Sequence, residues 1–196
     1  MSTKIIAKSV LASAVGVLAV GQEAEAGPTE SGFYGGLSFN NTDGRAWQYD
    51  FYDISGSGVG GFVGYNHVMG TTVLGFELSK PAGADAKPNG GDFTNYSNVK
   101  VLDLRGRIGT MVGNVHLYGS VGWSVGSYDD DYAGGSRSFS GLNYGFGAEM
   151  DVGQNAFVGL DVISRDIDDD WNSASDDYGA DSSNLNTISL RVGFRF

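Results

Sequence analysis

Residues 185–196 alternate with a period of two. Ile188, Leu190, Val192, Phe194 and Phe196 occupy one set of positions, and Thr187, Ser189, Arg191, Gly193 and Arg195 the other. Successive side chains of a β-strand point to opposite faces, so this period predicts a strand. One face is wholly apolar, the other carries two guanidinium groups, and the pattern runs to the last residue. A barrel that closes on its final strand in lipid accounts for that arrangement. A soluble core strand seldom ends this way.

Seven earlier segments carry the same alternation: about 32–40, 57–66, 71–80, 98–110, 115–128, 139–151 and 156–165. Their apolar sets are bulky, with Phe39, Phe76, Trp123 and Phe146 among them. Their polar sets are rich in glycine and hold Glu77, Asp103, Arg105, Arg107, Glu149, Asp161 and Arg165. None of the eight segments contains proline, as interior ladder positions require. The connections alternate in length: 66–70, 111–114 and 152–155 are short, whereas 41–56, 81–97, 129–138 and 166–184 are long. An up-and-down meander puts every tight turn at one end and every long loop at the other. Outer-membrane barrels have short periplasmic turns and longer extracellular loops.

The predicted fold is therefore all-β, an eight-stranded antiparallel up-and-down transmembrane β-barrel. Volume decides which face is outside. Eight strands enclose an interior only just wide enough for side chains, so the glycine-rich face fits inside and the bulky apolar face meets lipid. The acids Glu77, Asp103, Glu149 and Asp161 then share the lumen with Arg105, Arg107, Arg165, Arg191 and Arg195. Buried charges need partners, and these can supply one another. Counting from the turns sets Glu77, Arg105, Asp161 and Arg191 near mid-barrel, with Glu149 and Arg195 nearer the turn end. The cluster reads as a packed ionic plug or as the lining of a narrow pore; at this strand number the plug is favoured.

The first residues refine the domain boundaries. Lys4 and Lys8 precede an apolar run to Val20, and Ala24-Glu25-Ala26 follows. This order of charged, apolar and small residues predicts a secretory signal over 1–26, which leaves 27–196 as the barrel domain. The chain has no cysteine, so disulfides and thiolate metal sites are excluded. Its formal net charge is −11, which argues against nucleic acid as a partner. The long connections hold 15 of the 23 acidic residues, giving one strongly negative rim.

Aromatic residues in the long connections have two readings. Trp47, Tyr132, Trp171 and Tyr178 are candidates for contact with a partner. Tyr52, Tyr128 and Phe139, close to strand ends, are expected in the headgroup girdle. The two histidines, His67 and His116, fall at the turn end, where no Ser-His-Asp constellation forms on the loop side; no catalytic residue is assigned. The run Asp166-Ile-Asp168-Asp-Asp170-Trp-Asn172 lacks the glycine and glutamate of a calcium loop and reads as a solvated acidic segment. No metal or cofactor is expected.

The chain resembles the small outer-membrane barrels of the OmpA/OmpX and opacity-type surface-antigen group. The resemblance rests on the signal, the eight-strand meander, Gly32-Phe-Tyr-Gly-Gly36, Leu102-Asp-Leu-Arg-Gly-Arg-Ile-Gly109 and Leu190-Arg-Val-Gly-Phe-Arg-Phe196. It implies that Ile188, Leu190, Val192, Phe194 and Phe196 are read by the barrel-assembly machinery. It also implies a monomer in the cell outer membrane, contacting membrane lipid and lipopolysaccharide, with an extracellular loop partner of unknown identity. The expected role is non-enzymatic: envelope structure and surface contact through acidic loops. The alternative is a small porin. A lipid A-modifying enzyme comes a distant third.

Overall fold

The computed structural model describes residues 31–48, 50–88, 96–130, 135–169 and 182–196. Among these the chain forms β1 (Gly32–Gln48), β2 (Asp50–Met69), β3 (Thr72–Lys80), β4 (Ala84–Pro88), β5 (Tyr96–Val112), β6 (Val115–Asp130), β7 (Ser136–Val152), β8 (Ala156–Asp169) and β9 (Ser182–Arg195). All pairings are antiparallel. β3 and β4 both pair with β2 on one side and β5 on the other, so they are two lengths of a single stave interrupted at Pro81–Gly83. Nine segments therefore make eight staves. β1 pairs with β9 from Tyr34↔Arg195 to Arg45↔Asn184, and the sheet closes.

Three tight turns gather at one end, each with a glycine at positive φ: Gly70, Gly113 and Gly153. The alternation places its faces as expected. Phe33, Leu37, Phe39, Phe76, Leu104, Ile108, Val121, Trp123, Phe146 and Phe194 are exposed, whereas Glu77, Asp103, Ser124, Asn143, Asp161 and Arg191 are buried. An apolar belt running round the whole barrel would be untenable in water. It suits the band, about 25 Å tall, that such barrels present to hydrocarbon.

The ladder outruns the belt. The connection 41–56, expected as a loop, is a hairpin paired without a break from Asn41↔Ser57 to Gln48↔Asp50. β4 lies in the connection 81–97, and Pro88 ends it opposite Tyr52. β6, β7, β8 and β9 likewise run past their predicted ends. The reason is that apolar alternation records lipid on the outer face, not the strand itself. Polar residues above the lipid edge satisfy their backbone groups in the same ladder but carry no alternating signal.

Above that edge the sense of the two faces inverts. Ala84, Val99, Val101, Phe139, Ile167 and Leu185 point inward and form one buried apolar cluster, with Ile54 and Tyr128 packed against it. Asp43, Arg45, Asp53 and Asp85 face out. Here water replaces lipid outside the wall, and the barrel adopts the pattern of a soluble one. This corrects the girdle assignment of Tyr128 and Phe139. Phe139 is buried and stacks on Tyr128 with ring centroids 6.2 Å apart. The side chain of Tyr52 lies outside the described residues, as does the predicted signal 1–26.

Inward glycines are placed by inward rings. Tyr34, Phe62, Tyr118, Phe139 and Phe157 each sit opposite a glycine on the neighbouring strand, namely Gly64, Gly36, Gly147, Gly126 and Gly193. A Cβ added at any of these glycines would collide with the ring opposite. Gly64→Ala and Gly147→Ala are therefore expected to lower stability by about 1–3 kcal/mol through overpacking. The outward Gly106, where an added Cβ meets nothing closer than 3.8 Å, should tolerate alanine. The midpoint of the heat-induced gel shift of each refolded variant measures this.

Candidate functional site: an ionic core in the lumen

The lumen charges named from the sequence are brought together in three levels. At the middle, Arg105 of β5 spans the barrel. It donates from Nη2 to Glu77 Oε1 of β3 at 2.5 Å and to Asp161 Oδ2 of β8 at 2.6 Å. Glu77 is the hub of this level. It also accepts from Arg107 Nη1 at 2.8 Å, Arg191 Nη2 at 2.5 Å and the Tyr34 hydroxyl at 2.8 Å. Tyr118 donates its hydroxyl to Asp161 at 2.8 Å and accepts from Arg191 at 3.0 Å. All these groups are buried.

Toward the loop end, Asp103 and Arg165 form a bidentate pair with Nε–Oδ1 at 2.8 Å and Nη2–Oδ2 at 2.6 Å. Ser124, Asn143, Thr187 and Thr42 complete its hydrogen bonding. Planar guanidinium and carboxylate groups match in this geometry, which makes such pairs strong. Toward the turn end, Glu149 accepts from Arg107 at 2.8 Å and Arg195 at 3.2 Å, and His116 lies 3.7 Å away. Arg195 also bonds Asp151.

Asp151 is the residue the sequence reading missed. It brings the acids to five, equal to the five arginines, so each guanidinium has a carboxylate. The aromatic residues are the second omission. Arg107 lies over the Tyr118 ring at 3.7 Å, Arg191 over Phe62 at 3.8 Å and Arg195 over Phe157 at 4.3 Å. Stacking of this kind strengthens on desolvation. Glycine opposite an inward aromatic on adjacent strands was a signal available in the sequence, but it requires the register to be known.

Little space remains. A cavity between the middle and upper levels, lined by Asn40, Phe62, Ser79, Asp103, Arg105 and Ile163, measures about 10 Å³, room for about one water. The side-chain amide of Asn66, the ring nitrogens of His116 and Nε of Arg107, Arg191 and Arg195 are buried without a protein partner. Ordered water is the usual partner of such groups.

The remaining named residues lie elsewhere. Leu190, Val192, Phe194 and Phe196 are exposed on the outer face of β9 and at its end, with Ile188 half-buried on the same face. Phe196 is tied to β1 by its backbone N–H, which donates to Phe33 O at 2.8 Å. His67 is exposed at the turn end with the Ser31 hydroxyl 3.2 Å from its ring. The side chain of Trp47 and the whole of Tyr132, Trp171 and Tyr178 lie outside the described residues, as do residues 170–172 of the acidic segment, whose first four residues, Asp166 to Asp169, continue β8.

Comparison with known proteins bears on this architecture. The family described as outer membrane protein beta-barrel domain matches residues 11–196. A 22 kDa outer membrane protein of Rhizobium leguminosarum bv. viciae is 31% identical over 189 residues, covering 89% of this chain and 83% of that protein. Among solved structures, Ail, the attachment invasion locus protein of Yersinia pestis, superposes with a TM-score of 0.54 at 15% identity, over 85% of this chain and 97% of Ail. Neisserial surface protein A gives a TM-score of 0.54 at 13% identity, over 85% of this chain and 99% of that one. At such identities these two structures bear on the fold alone.

The ionic core yields a stability test. Removing one member of a buried pair leaves an uncompensated charge and costs about 3–5 kcal/mol, whereas an apolar replacement of both is often neutral. Arg165→Met and Asp103→Leu should each destabilise the barrel by that amount, and the double variant by much less than their sum. Urea unfolding from lipid vesicles checks it.

Proposed function

Since the chain belongs to the outer membrane protein β-barrel family, we propose that it is a stoppered, non-catalytic surface protein of the Gram-negative outer membrane. Its barrel adds structure to the envelope, and its acidic rim meets other surfaces. The observation that carries this reading is the Arg105 bridge from Glu77 to Asp161, which crosses the lumen at mid-barrel. The Asp103–Arg165 level and the apolar cluster stand above it, with a cavity of about 10 Å³ between the middle and upper levels, and this stacking supports the stoppered reading. A wall this well packed supplies a rigid mount, and the chemistry left to present is that of the strand ends and loops.

The negative rim favours a cationic partner surface, or a polyanionic one bridged by divalent cations, because like charges repel. The two histidines support no outer-surface catalysis, since both sit toward the turn end.

The porin reading has one observation of its own. Asn66, His116 and the three arginine Nε groups are buried without protein partners, and water at those atoms would give the lumen a wet, charged lining. Planar-bilayer conductance of the refolded barrel separates the two. The stoppered reading expects no steady openings from protein that resists SDS until boiled. Discrete openings whose ion selectivity changes in Arg105→Gln or Arg191→Gln would establish a pore instead.

The contact role has its own check. Shortening the connections after β6 and β8 should abolish adhesion to cationic surfaces while leaving the gel shift intact; unchanged adhesion would refute it.

A further inference from the structure

Lysine beyond residue 26 is confined to one sector of this barrel, and the outward Arg45 of β1 is already paired with Asp53. All three lysines beyond residue 26 fall on the β3–β4 stave or on β5: Lys80, Lys87 and Lys100. Lys80 and Lys100 are exposed. Each is the first outward residue above the apolar belt on its strand, directly following Leu78 and directly preceding Leu102. The equivalent position on the other six staves is serine or asparagine, as at Asn41, Ser57, Ser127 and Asn186. The two cationic positions are neighbours. Lys80 lies one step past the Ser79↔Asp103 pair, and Lys100 lies two residues beyond Leu102 on the same face.

The backbone beside Lys100 is irregular. β5 carries a bulge at Asn98, the one non-glycine residue with positive φ, 54°, among the described residues, and the pairing of β5 with both β4 and β6 shifts there. Through the bulge, Asn98 donates its backbone N–H to Asp85 at 3.3 Å and its side-chain amide to Asp129 at 3.0 Å. Asp85 and Asp129 each thus accept a hydrogen bond from Asn98. No ion pair among the described residues involves Lys80 or Lys100.

An ammonium on a long stem at the edge of hydrocarbon reaches naturally into the headgroup layer. The loop end of such barrels faces the outer leaflet, so the groups that Lys80 and Lys100 meet there are those of the outer glycolipid. We propose that Lys80 and Lys100 form a docking site for the phosphate of a phosphorylated glycolipid, holding one lipid against the outward leucines Leu78, Leu102 and Leu104.

The full barrel is refolded into phosphatidylcholine vesicles containing lipid A, and retained lipid is counted by native mass spectrometry. Wild type should retain lipid A in preference to its dephosphorylated form. Each Lys→Gln change should weaken retention about fivefold, and K80Q/K100Q about thirtyfold. K80R/K100R should restore it, and R45Q, which alters a base already paired with Asp53, should change nothing. The proposal is overturned if K80Q/K100Q retains lipid A like wild type. It is equally overturned if the dephosphorylated lipid or phosphatidylglycerol is held as well as lipid A.

Discussion

The structure depends on one constraint: inside hydrocarbon no backbone N–H or C=O can be left without a partner. The pairing of β1 with β9 meets it by closing the sheet, so no edge faces lipid. Once the sheet is closed, each strand has one face toward lipid and one toward a lumen of fixed bore. Bulk then goes outward, and glycine alternates with rings and charges inward. The carboxyl-terminal strand carries this closure, and Phe196 still bonds back to Phe33.

The bore is what forces the charges together. Side chains as long as arginine cannot reach water from the middle of an eight-stranded lumen, so each guanidinium finds a carboxylate or lies on a ring. Glu77 takes bonds from three arginines and a tyrosine because three staves, β1, β5 and β9, aim four donors at the same point. Such a network adds little net stability over an apolar core, but it penalises any slip in register. A shift of one residue would turn every arginine into lipid. The extramembrane end uses the opposite solution. Where water bathes the outer wall, the interior closes over Val99, Val101, Phe139, Ile167 and Leu185, a soluble core mounted on a membrane one.

These two clusters, one ionic and one apolar, fit the proposed role, in which the interior is structural and the chemistry is at the surface. The outer face divides into an apolar belt, a narrow collar and an acidic rim. Charge on that collar is local, confined to Lys80 and Lys100, while the rim above is broadly negative. The belt holds the protein in the membrane; in the roles proposed above, the collar meets headgroups and the rim meets other surfaces.

The eight-stave architecture, the sense of its faces within the belt and every lumen charge but Asp151 were legible in the sequence. Each follows from a period-two pattern in which bulk and charge occupy opposite positions. Strand length was not legible, because alternation stops where lipid stops while the ladder continues through residues such as Asn41 to Gln48. Phe139 and Tyr128 misled for the same reason: above the belt an inward ring looks like a girdle ring on a sequence that does not mark the waterline. The pairing of Asp151 with Arg195, and the split of one stave into β3 and β4, depended on register and shear. Residue spacing along one strand therefore determined which face each side chain takes. Only the closed barrel, which sets the depth of each strand against its neighbours, decided which charges meet.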